Sequence, residues 1–255
     1  MKKIIEGVLV PLPAPDFERL FAPGTRHTLP HGDVATVRLL QDASLWLPSG
    51  RVVAGEPCGF DDADDGFFVQ QVSPGEYPLL LVIAMFAKRN QSTAHEMIAA
   101  ARLVIRDEPV ASWEMAACEG DDVFDLGDDE YFGYPVDGGV GGFVDAANIA
   151  TLRASDDYSD QLLSNLDIHV IHETDRTAPA TLADDEGRPL VVAFSSGNGD
   201  GHYPTWVGRT ADGEVACFLT DFLILTDNGD DELPSGDTDG SPLSDLAQEH
   251  EVRAR

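Results

Sequence analysis

Basic residues are scarce in this sequence. Lys and Arg together number 16 against 46 Asp and Glu, which gives a formal net charge of −30 at pH 7. Proteins that bind nucleic acid or anionic membranes do so through clustered positive charge. The composition therefore argues against both kinds of partner, and it suits a soluble protein that meets a basic partner or a cation. A proteome that favours Asp and Arg throughout would produce the same excess of acid.

Cysteines and long apolar runs are also scarce. Cys58, Cys118 and Cys217 lie far apart and no C-x-x-C occurs, so the sequence predicts neither a disulfide framework nor a cysteine zinc site. No apolar stretch reaches the length of about 18 residues that a membrane span requires. The short apolar start runs into Pro11 and Pro13 without a small-residue cleavage site, which argues against a secretory signal. We expect a cytoplasmic protein.

Short apolar runs bounded by turn residues are what the sequence has instead. Leu79–Phe86 is apolar at every position, which is typical of a central strand buried on both faces. Asp212 and Gly213 separate two apolar runs and predict a hairpin with a type I′ turn. Hairpins are also predicted for 67–72 with 77–86 and for 97–105 with 110–117. Further strands are predicted at 34–40, 44–47, 52–55, 131–136, 190–194, 203–207 and 215–225.

Two helices are predicted between the strands. Asp145 can cap a helix from Ala146 to about Arg153, and an apolar spacing of three and four predicts another from about Ser159 to Val170. The alanines of 94–103 are compatible with a helix, but the Asp-Glu-Pro connection that follows favours a strand. The order of elements predicts one α+β domain, β-rich, with a mostly antiparallel sheet or sandwich and two central helices.

Two glycine-rich loops form the candidate site. The first, 137–145, has Asp at both ends, and the second, 195–201, alternates Gly with Asn and Asp. Glycine allows the main chain to adopt unusual conformations and to approach a neighbour closely. Because each loop follows an extended segment and joins Gly to Asp, we expect the two to lie side by side. The candidate ligand-binding residues are Asp137, Gly138, Gly139, Asp145, Ser196, Gly197, Asn198, Gly199, Asp200, Gly201, Tyr203 and Asp221.

Several chemistries compete at these loops. Asp137, Asp145 and Asp200 could together hold calcium or magnesium, since hard cations prefer oxygen ligands. The competing interpretation is that these side chains cap turns and helices, so that no cofactor is bound. Phosphate binding is disfavoured because a strand, not a helix, follows the second loop. No G-x-S-x-G elbow surrounds the serines, and the catalytic residues stay unassigned.

Five ordered motifs carry a family resemblance. They are LPSGRVVAGEP (47–57), SPGEYPLLL (73–81), the AARL and PVASWEMA segments (100–116), GYPVDGGVGGFVDA (133–146) and SSGNGDGHYPTWVGRTADGEVACFLTDF (195–222). Together they resemble the bacterial domain-of-unknown-function family DUF4241 over residues 45–222. The resemblance implies a cytoplasmic bacterial protein without an established reaction, and it makes no residue catalytic.

The leading functional hypothesis is a non-catalytic binding or interaction module. Its concrete form is an immunity-like protein that neutralises a basic partner, because acidic and glycine-rich loops offer a recognition surface. The alternative is a carboxylate- or metal-dependent enzyme with its site at the two glycine-rich loops. The predicted organisation is an irregular N-terminal segment (1–44) that packs on a domain (45–226), followed by an acidic tail (227–255).

The tail generates the first prediction. Residues 227–255 carry six Asp, three Glu and two Arg, with few bulky apolar residues before Leu243, so we expect a mobile segment outside the core. A protein truncated after Thr226 should keep its cooperative transition, with a free energy of unfolding within about 1 kcal/mol of the full chain. Scanning calorimetry checks this. Loss of the cooperative transition would show that the tail belongs to the fold.

Overall fold

A computed structural model describes residues 14–30, 32–60, 66–87, 95–127, 130–155, 157–166 and 177–225. It also gives the backbone of two short paired strands, β1 (Ile4–Ile5) and β2 (Val8–Leu9). The described part contains two larger sheets, and every strand pair recorded in them is antiparallel. In this part of the chain no helix is long and apolar enough to cross a membrane.

The larger sheet has eight strands. In spatial order they are β3 (Arg26–Thr28), β4 (Val34–Leu47), β6 (Gly75–Phe86), β7 (His95–Val104), β14 (Val215–Asp221), β13 (Gly201–Arg209) and β8 (Ser112–Met115). The eighth, β9 (Gly133–Val136), pairs with β13. The apolar run Leu79–Phe86 belongs to a central strand, as predicted. β6 has partners on both sides, and Leu79, Leu81 and Ile83 are buried.

The smaller sheet has four strands and is covered on both faces. Its order is β11 (Ala180–Ala183), β12 (Pro189–Ser195), β10 (Val140–Asp145) and β5 (Val52–Gly55). Successive side chains of a strand point to opposite faces. Accordingly, Phe143 and Phe194 join the core against the larger sheet. Val144 and Val191 join a second core with the helices α2 (Ala146–Arg153) and α3 (Tyr158–Asn165). The domain is therefore built in three layers.

The helices follow from their capping residues and apolar faces. Asp16 caps the short helix α1 (Phe17–Leu20), and its side chain accepts a hydrogen bond from the Arg19 N–H at 3.2 Å. The predicted cap at Asp145 and the predicted span of α2 are both confirmed. In α3, Tyr158 and Leu162 lie four residues apart on one face and are buried, as the spacing of an amphipathic helix requires. The helices therefore cover the outer face of the smaller sheet.

Asp145 also fixes the turn that joins the two sheets at β4 and β5. Its carboxylate is fully buried and accepts hydrogen bonds from the N–H of Ala147 (2.8 Å), Ser49 (3.0 Å) and Gly50 (2.9 Å) and from the Ser49 hydroxyl (2.6 Å). Gly50 has a positive φ of 70°, and a Cβ there would lie 1.9 Å from the Val72 carbonyl oxygen. One carboxylate thus holds both the turn and the start of α2.

Several local predictions were wrong. Residues 67–72 form no strand beyond an isolated bridge between Arg51 and Gln71, because the chain there bonds irregularly to β5 and to Ala117. β7 and β8 do not form a hairpin, since β14 and β13 lie between them. The Asp212–Gly213 hairpin exists, but of these two residues only Gly213 has a positive φ. Its turn is therefore not type I′.

Other differences concern boundaries. Residues 140–145 are the central strand β10 and not part of a loop, and β3 and β11 were not predicted. β4 runs from Val34 to Leu47, and its pairing with β6 shifts register between Leu40 and Ala43. The strand prediction for 97–105 is confirmed over the helix alternative. The acidic tail, the end of the second predicted helix and the Asp-rich residues 61–65 lie outside the described residues.

The four hydrogen bonds accepted by the Asp145 carboxylate, here called the Asp145 clamp, generate the second prediction. Asp145→Asn replaces one acceptor oxygen by an NH2 group, which cannot accept the hydrogen bonds that the surrounding donors make. It should therefore lower the free energy of unfolding by about 2–4 kcal/mol. The control Asp212→Asn changes an exposed turn residue and should cost less than about 0.5 kcal/mol. Urea titration of both variants measures the difference. Equal stability of the two would contradict the clamp.

Candidate binding cleft

The two glycine-rich loops lie side by side, as predicted. The Ser196 N–H donates a hydrogen bond to the Gly139 carbonyl oxygen at 3.0 Å. A Cβ added to Gly139 would lie 3.7 Å from the Cα of Gly199. The reason is topological, because both loops cross between the sheets. The first joins β9 to β10 and the second joins β12 to β13, and these strands pair with one another in both sheets.

The second loop uses its own hydroxyl groups to close on itself. The buried Ser196 hydroxyl donates to the Gly199 carbonyl oxygen at 2.7 Å. The Tyr203 hydroxyl donates to the same oxygen at 2.8 Å. Burial is the main reason that the pKa of Tyr203 is raised, although its contact with Ser196 offsets part of the rise. Both hydroxyl groups are thus engaged within the loop itself.

Gly197 is required by packing against the core. Its φ is +68°, and a Cβ there would lie 2.6 Å from Ile224 Cδ1 and 2.9 Å from the Ile98 carbonyl oxygen. Gly199, with φ +103°, has open space around it. Of these two glycines, Gly197 is therefore the one at which the main chain packs closely against the core.

The predicted acidic residues have different environments. Asp137 and Asp200 are exposed, whereas Asp145 and Asp221 are buried. Asp145 is occupied by the clamp, and Asp221 accepts a hydrogen bond from the N–H of Leu223 at 2.9 Å. Within the described ranges no group of three or more His, Cys, Asp or Glu is arranged to hold a metal ion. The cation set of Asp137, Asp145 and Asp200 is not assembled, because Asp145 is committed to the turn and the helix.

A cleft of about 370 Å³ opens beside the first loop, between β5 and β9. Pockets of about 300–1,000 Å³ are the usual size for ligand sites. Its walls are largely apolar and include Phe60, Phe68, Phe132 and Ala116. Three carboxylates line it, those of Glu56, Asp121 and Asp137, and no Lys, Arg or His is among the described lining residues. The cleft therefore combines apolar walls with negative charge.

Two of these carboxylates are fixed by main-chain donors. Glu56 Oε2 accepts from the Asp137 N–H at 2.8 Å, and Asp121 Oδ2 accepts from the Cys118 N–H at 2.7 Å. A Cβ at Gly138 would lie 2.4 Å from Glu56 Oε1, so the first glycine loop makes room for Glu56. The described residues give no hydrogen bond to the second oxygen of either carboxylate. Each carboxylate keeps an acceptor for a ligand.

Cys118, Thr205 and Tyr134 are also among the lining residues. Cys118 Sγ donates to the Gly66 carbonyl oxygen at 3.1 Å, and burial followed by the charge of Asp121 raises the pKa of this thiol. The thiol therefore stays protonated and is a poor nucleophile at neutral pH. Thr205 Oγ1 lies 2.9 Å from Thr220 Oγ1. Burial also raises the pKa of Tyr134, and the Thr220 hydroxyl offsets part of that rise.

Only Asp137 among the predicted site residues lines this cleft. Sequence reasoning missed Glu56 and Asp121, which come from distant parts of the chain. Residues 119–130 are rich in Asp and Glu, but nothing local indicated that Asp121 would line the same cleft as Glu56. The LPSGRVVAGEP motif contains Glu56, which accepts a hydrogen bond from Asp137 of the GYPVDGG motif. This contact between distant motifs is not visible in a single sequence.

Residues 45–220 match the model of a family described as protein of unknown function, DUF4241. The chain belongs to this family, as the resemblance of its motifs implied. No curated protein and no solved structure matches the chain. The matched range contains the cleft, both glycine-rich loops and the clamp at Asp145.

The packing of Gly197 generates the third prediction. Gly197→Ala should lose about 1–2 kcal/mol from its positive φ and about 1–3 kcal/mol more from its overlap with Ile224 and Ile98. Gly187→Ala is the matched control, because Gly187 has φ +79° and nothing within 4 Å of an added Cβ. Chemical denaturation of both variants separates strain from overlap. A loss at Gly197 no larger than at Gly187 would contradict the packing role.

Proposed function

We propose that this protein is a non-catalytic binding protein, and that its acidic cleft receives a cationic group of a basic partner. The observation that carries the proposal is the lining of the cleft, which joins apolar walls to three carboxylates without a basic residue among the described ones. Lys and Arg side chains have an apolar stem and a charged head. They match such a cleft better than an anion or a purely apolar ligand does.

The walls add a second reason for a cation. Phe60, Phe68 and Phe132 line the cleft, and aromatic rings attract a cation placed over their faces. The net charge of −30 would also accelerate the encounter with a basic protein at low salt. An immunity-type protein of the cytoplasm that neutralises a basic toxin has this combination of properties, and it is the concrete form of the proposal.

The alternative, a carboxylate- or metal-dependent enzyme at the glycine-rich loops, has less support. The Ser196 hydroxyl donates within its own loop, and the Asp145 carboxylate accepts four hydrogen bonds from the turn and α2. Groups so occupied would have to give up structural bonds in order to act on a substrate.

Charge removal in the cleft is the fourth prediction. The probe is a blocked peptide of alternating Arg and Val, titrated calorimetrically at near-physiological salt. The triple variant Glu56→Gln, Asp121→Asn, Asp137→Asn should bind it at least about tenfold more weakly than the wild type, since charge complementarity is lost. The matched control, Asp107→Asn, Asp185→Asn, Asp212→Asn, removes three charges at exposed sites that do not line the cleft.

The control should bind the peptide within about twofold of the wild type. Cys118 gives a local readout when alkylation by N-ethylmaleimide is followed at mildly alkaline pH, where more of this thiol is ionised. Bound peptide should slow alkylation of Cys118 and leave that of Cys58, outside the lining, unchanged. Equal weakening in the two triple variants would mean that the peptide responds only to net charge. That result, or unprotected Cys118 at saturation, would overturn the proposal.

A further inference from the structure

Among the described residues, the outer edge of β5 bonds to residues 68–72 at Arg51 and Val52 and is open at Ala54, inside the cleft. β5 pairs with β10 on one side, and it is the last strand of its sheet. In a strand, the N–H and C=O of one residue point to the same side, and neighbouring residues alternate. The side to which Ala54 points therefore follows from the bonds of its neighbours.

Two hydrogen bonds fix that alternation. The Ala146 N–H donates to the Arg51 carbonyl oxygen at 2.9 Å, which continues the ladder between β10 and β5. The Val52 carbonyl oxygen instead accepts from the Phe68 N–H at 2.9 Å, on the opposite side. Ala54 is two residues from Val52, so its N–H and C=O also point away from β10. Ala54 lines the cleft, and no described residue bonds to its main chain.

The opposite wall of the cleft is also a strand edge. The Ala116 N–H donates to the Thr205 carbonyl oxygen at 2.9 Å. The main-chain N–H and C=O groups of odd-numbered residues in β13 therefore point toward β8 and β9. Tyr203 pairs with Tyr134, so the main-chain groups of Tyr134 point toward β13. The main-chain groups of its neighbours Gly133 and Pro135 therefore point the other way, toward the cleft. The hydrogen bond from the Asp137 N–H to Glu56 across the cleft agrees with this alternation.

We propose that the cleft binds its partner by strand addition, in which an extended basic segment pairs with the open edge of β5. This inference rests on the proposed function and names the conformation of the ligand. An exposed edge offers unpaired N–H and C=O groups as a template for another chain. Ala54 supplies one donor and one acceptor to the segment.

Charge selects the occupant of this edge. A second copy of the chain would bring its own net charge of −30 to an edge flanked by Glu56, Asp121 and Asp137. Repulsion therefore disfavours pairing between two copies, whereas a basic segment is attracted. Because side chains alternate along a strand, the favoured segment alternates basic residues with apolar ones, so that one set meets the carboxylates and the other meets the phenylalanines.

N-methylation of the ligand tests strand addition on the intact protein. The blocked Arg-Val peptide is compared with an analogue whose alternate backbone nitrogens are methylated, which keeps the charge but removes donors. A second analogue is methylated in the other phase, because only one phase faces the edge. In calorimetric titrations one phase should bind about tenfold more weakly than the parent peptide, and the other should bind about equally.

A protein variant provides an independent readout. Ala54→Pro removes an N–H that takes no part in the ladder with β10, and proline is tolerated on strand edges. Its affinity for the parent peptide should fall about tenfold, whereas Ala54→Ser, which keeps the N–H, should bind like the wild type. A melting curve shows whether each variant is folded. If Ala54→Pro does not fold, the two methylated peptides decide the question on the wild-type protein.

The outcomes separate the two proposals. Equal binding of the parent and both methylated peptides, with loss of binding in the cleft charge variant, would retain the acidic cleft and overturn strand addition. Absence of any difference between the cleft charge variant and its matched control would overturn the cleft itself. Phase-dependent binding together with loss of affinity in Ala54→Pro is the result expected.

Discussion

The burial of the four-stranded sheet on both faces is the constraint on which the rest of the structure depends. One face packs on the larger sheet and the other on α2 and α3. The chain crosses between the two sheets at the connections β4–β5, β9–β10 and β12–β13. Where the chain crosses, main-chain N–H and C=O groups make no hydrogen bonds to a paired strand and need other partners. Asp145 supplies them at one crossing, and Ser196 with Tyr203 supplies them at another.

The same constraint creates the cleft. The small sheet ends at β5 while the large sheet continues through β8 and β9, so two strand edges face each other where the sheets part. An unprotected edge invites aggregation, and proteins often guard edges with charge. Among the described lining residues the charges are all negative. In the proposed function they repel copies of the same acidic chain and admit a basic segment, so that protection of the edge and selection of the partner would follow from one feature.

Sequence patterns predicted the parts of the fold that local chemistry determines. The uniformly apolar run of β6, the cap at Asp145 and the hairpin before β14 all follow from short stretches. β10 was missed because Gly141 and Gly142 resemble a loop in sequence. In the structure a Cβ at Gly141 would lie 2.7 Å from the Tyr134 hydroxyl, and one at Gly142 would lie 2.4 Å from Pro57 Cγ. The cleft could not be predicted, since Glu56 and Asp121 come to line it only through the long-range arrangement of the strands.

The central claim proposed here is that a basic extended segment pairs with the edge of β5 at Ala54 and fills the cleft beside β9. Hydrogen exchange monitored by mass spectrometry, with and without the Arg-Val peptide, tests it most directly. The account predicts slower exchange in peptides that cover 52–56 and 133–137, with no change at the distant hairpin turn 210–214. Protection confined to other regions, or uniform slight protection across the chain, would contradict a cleft-bound strand and would indicate diffuse attraction to the acidic surface.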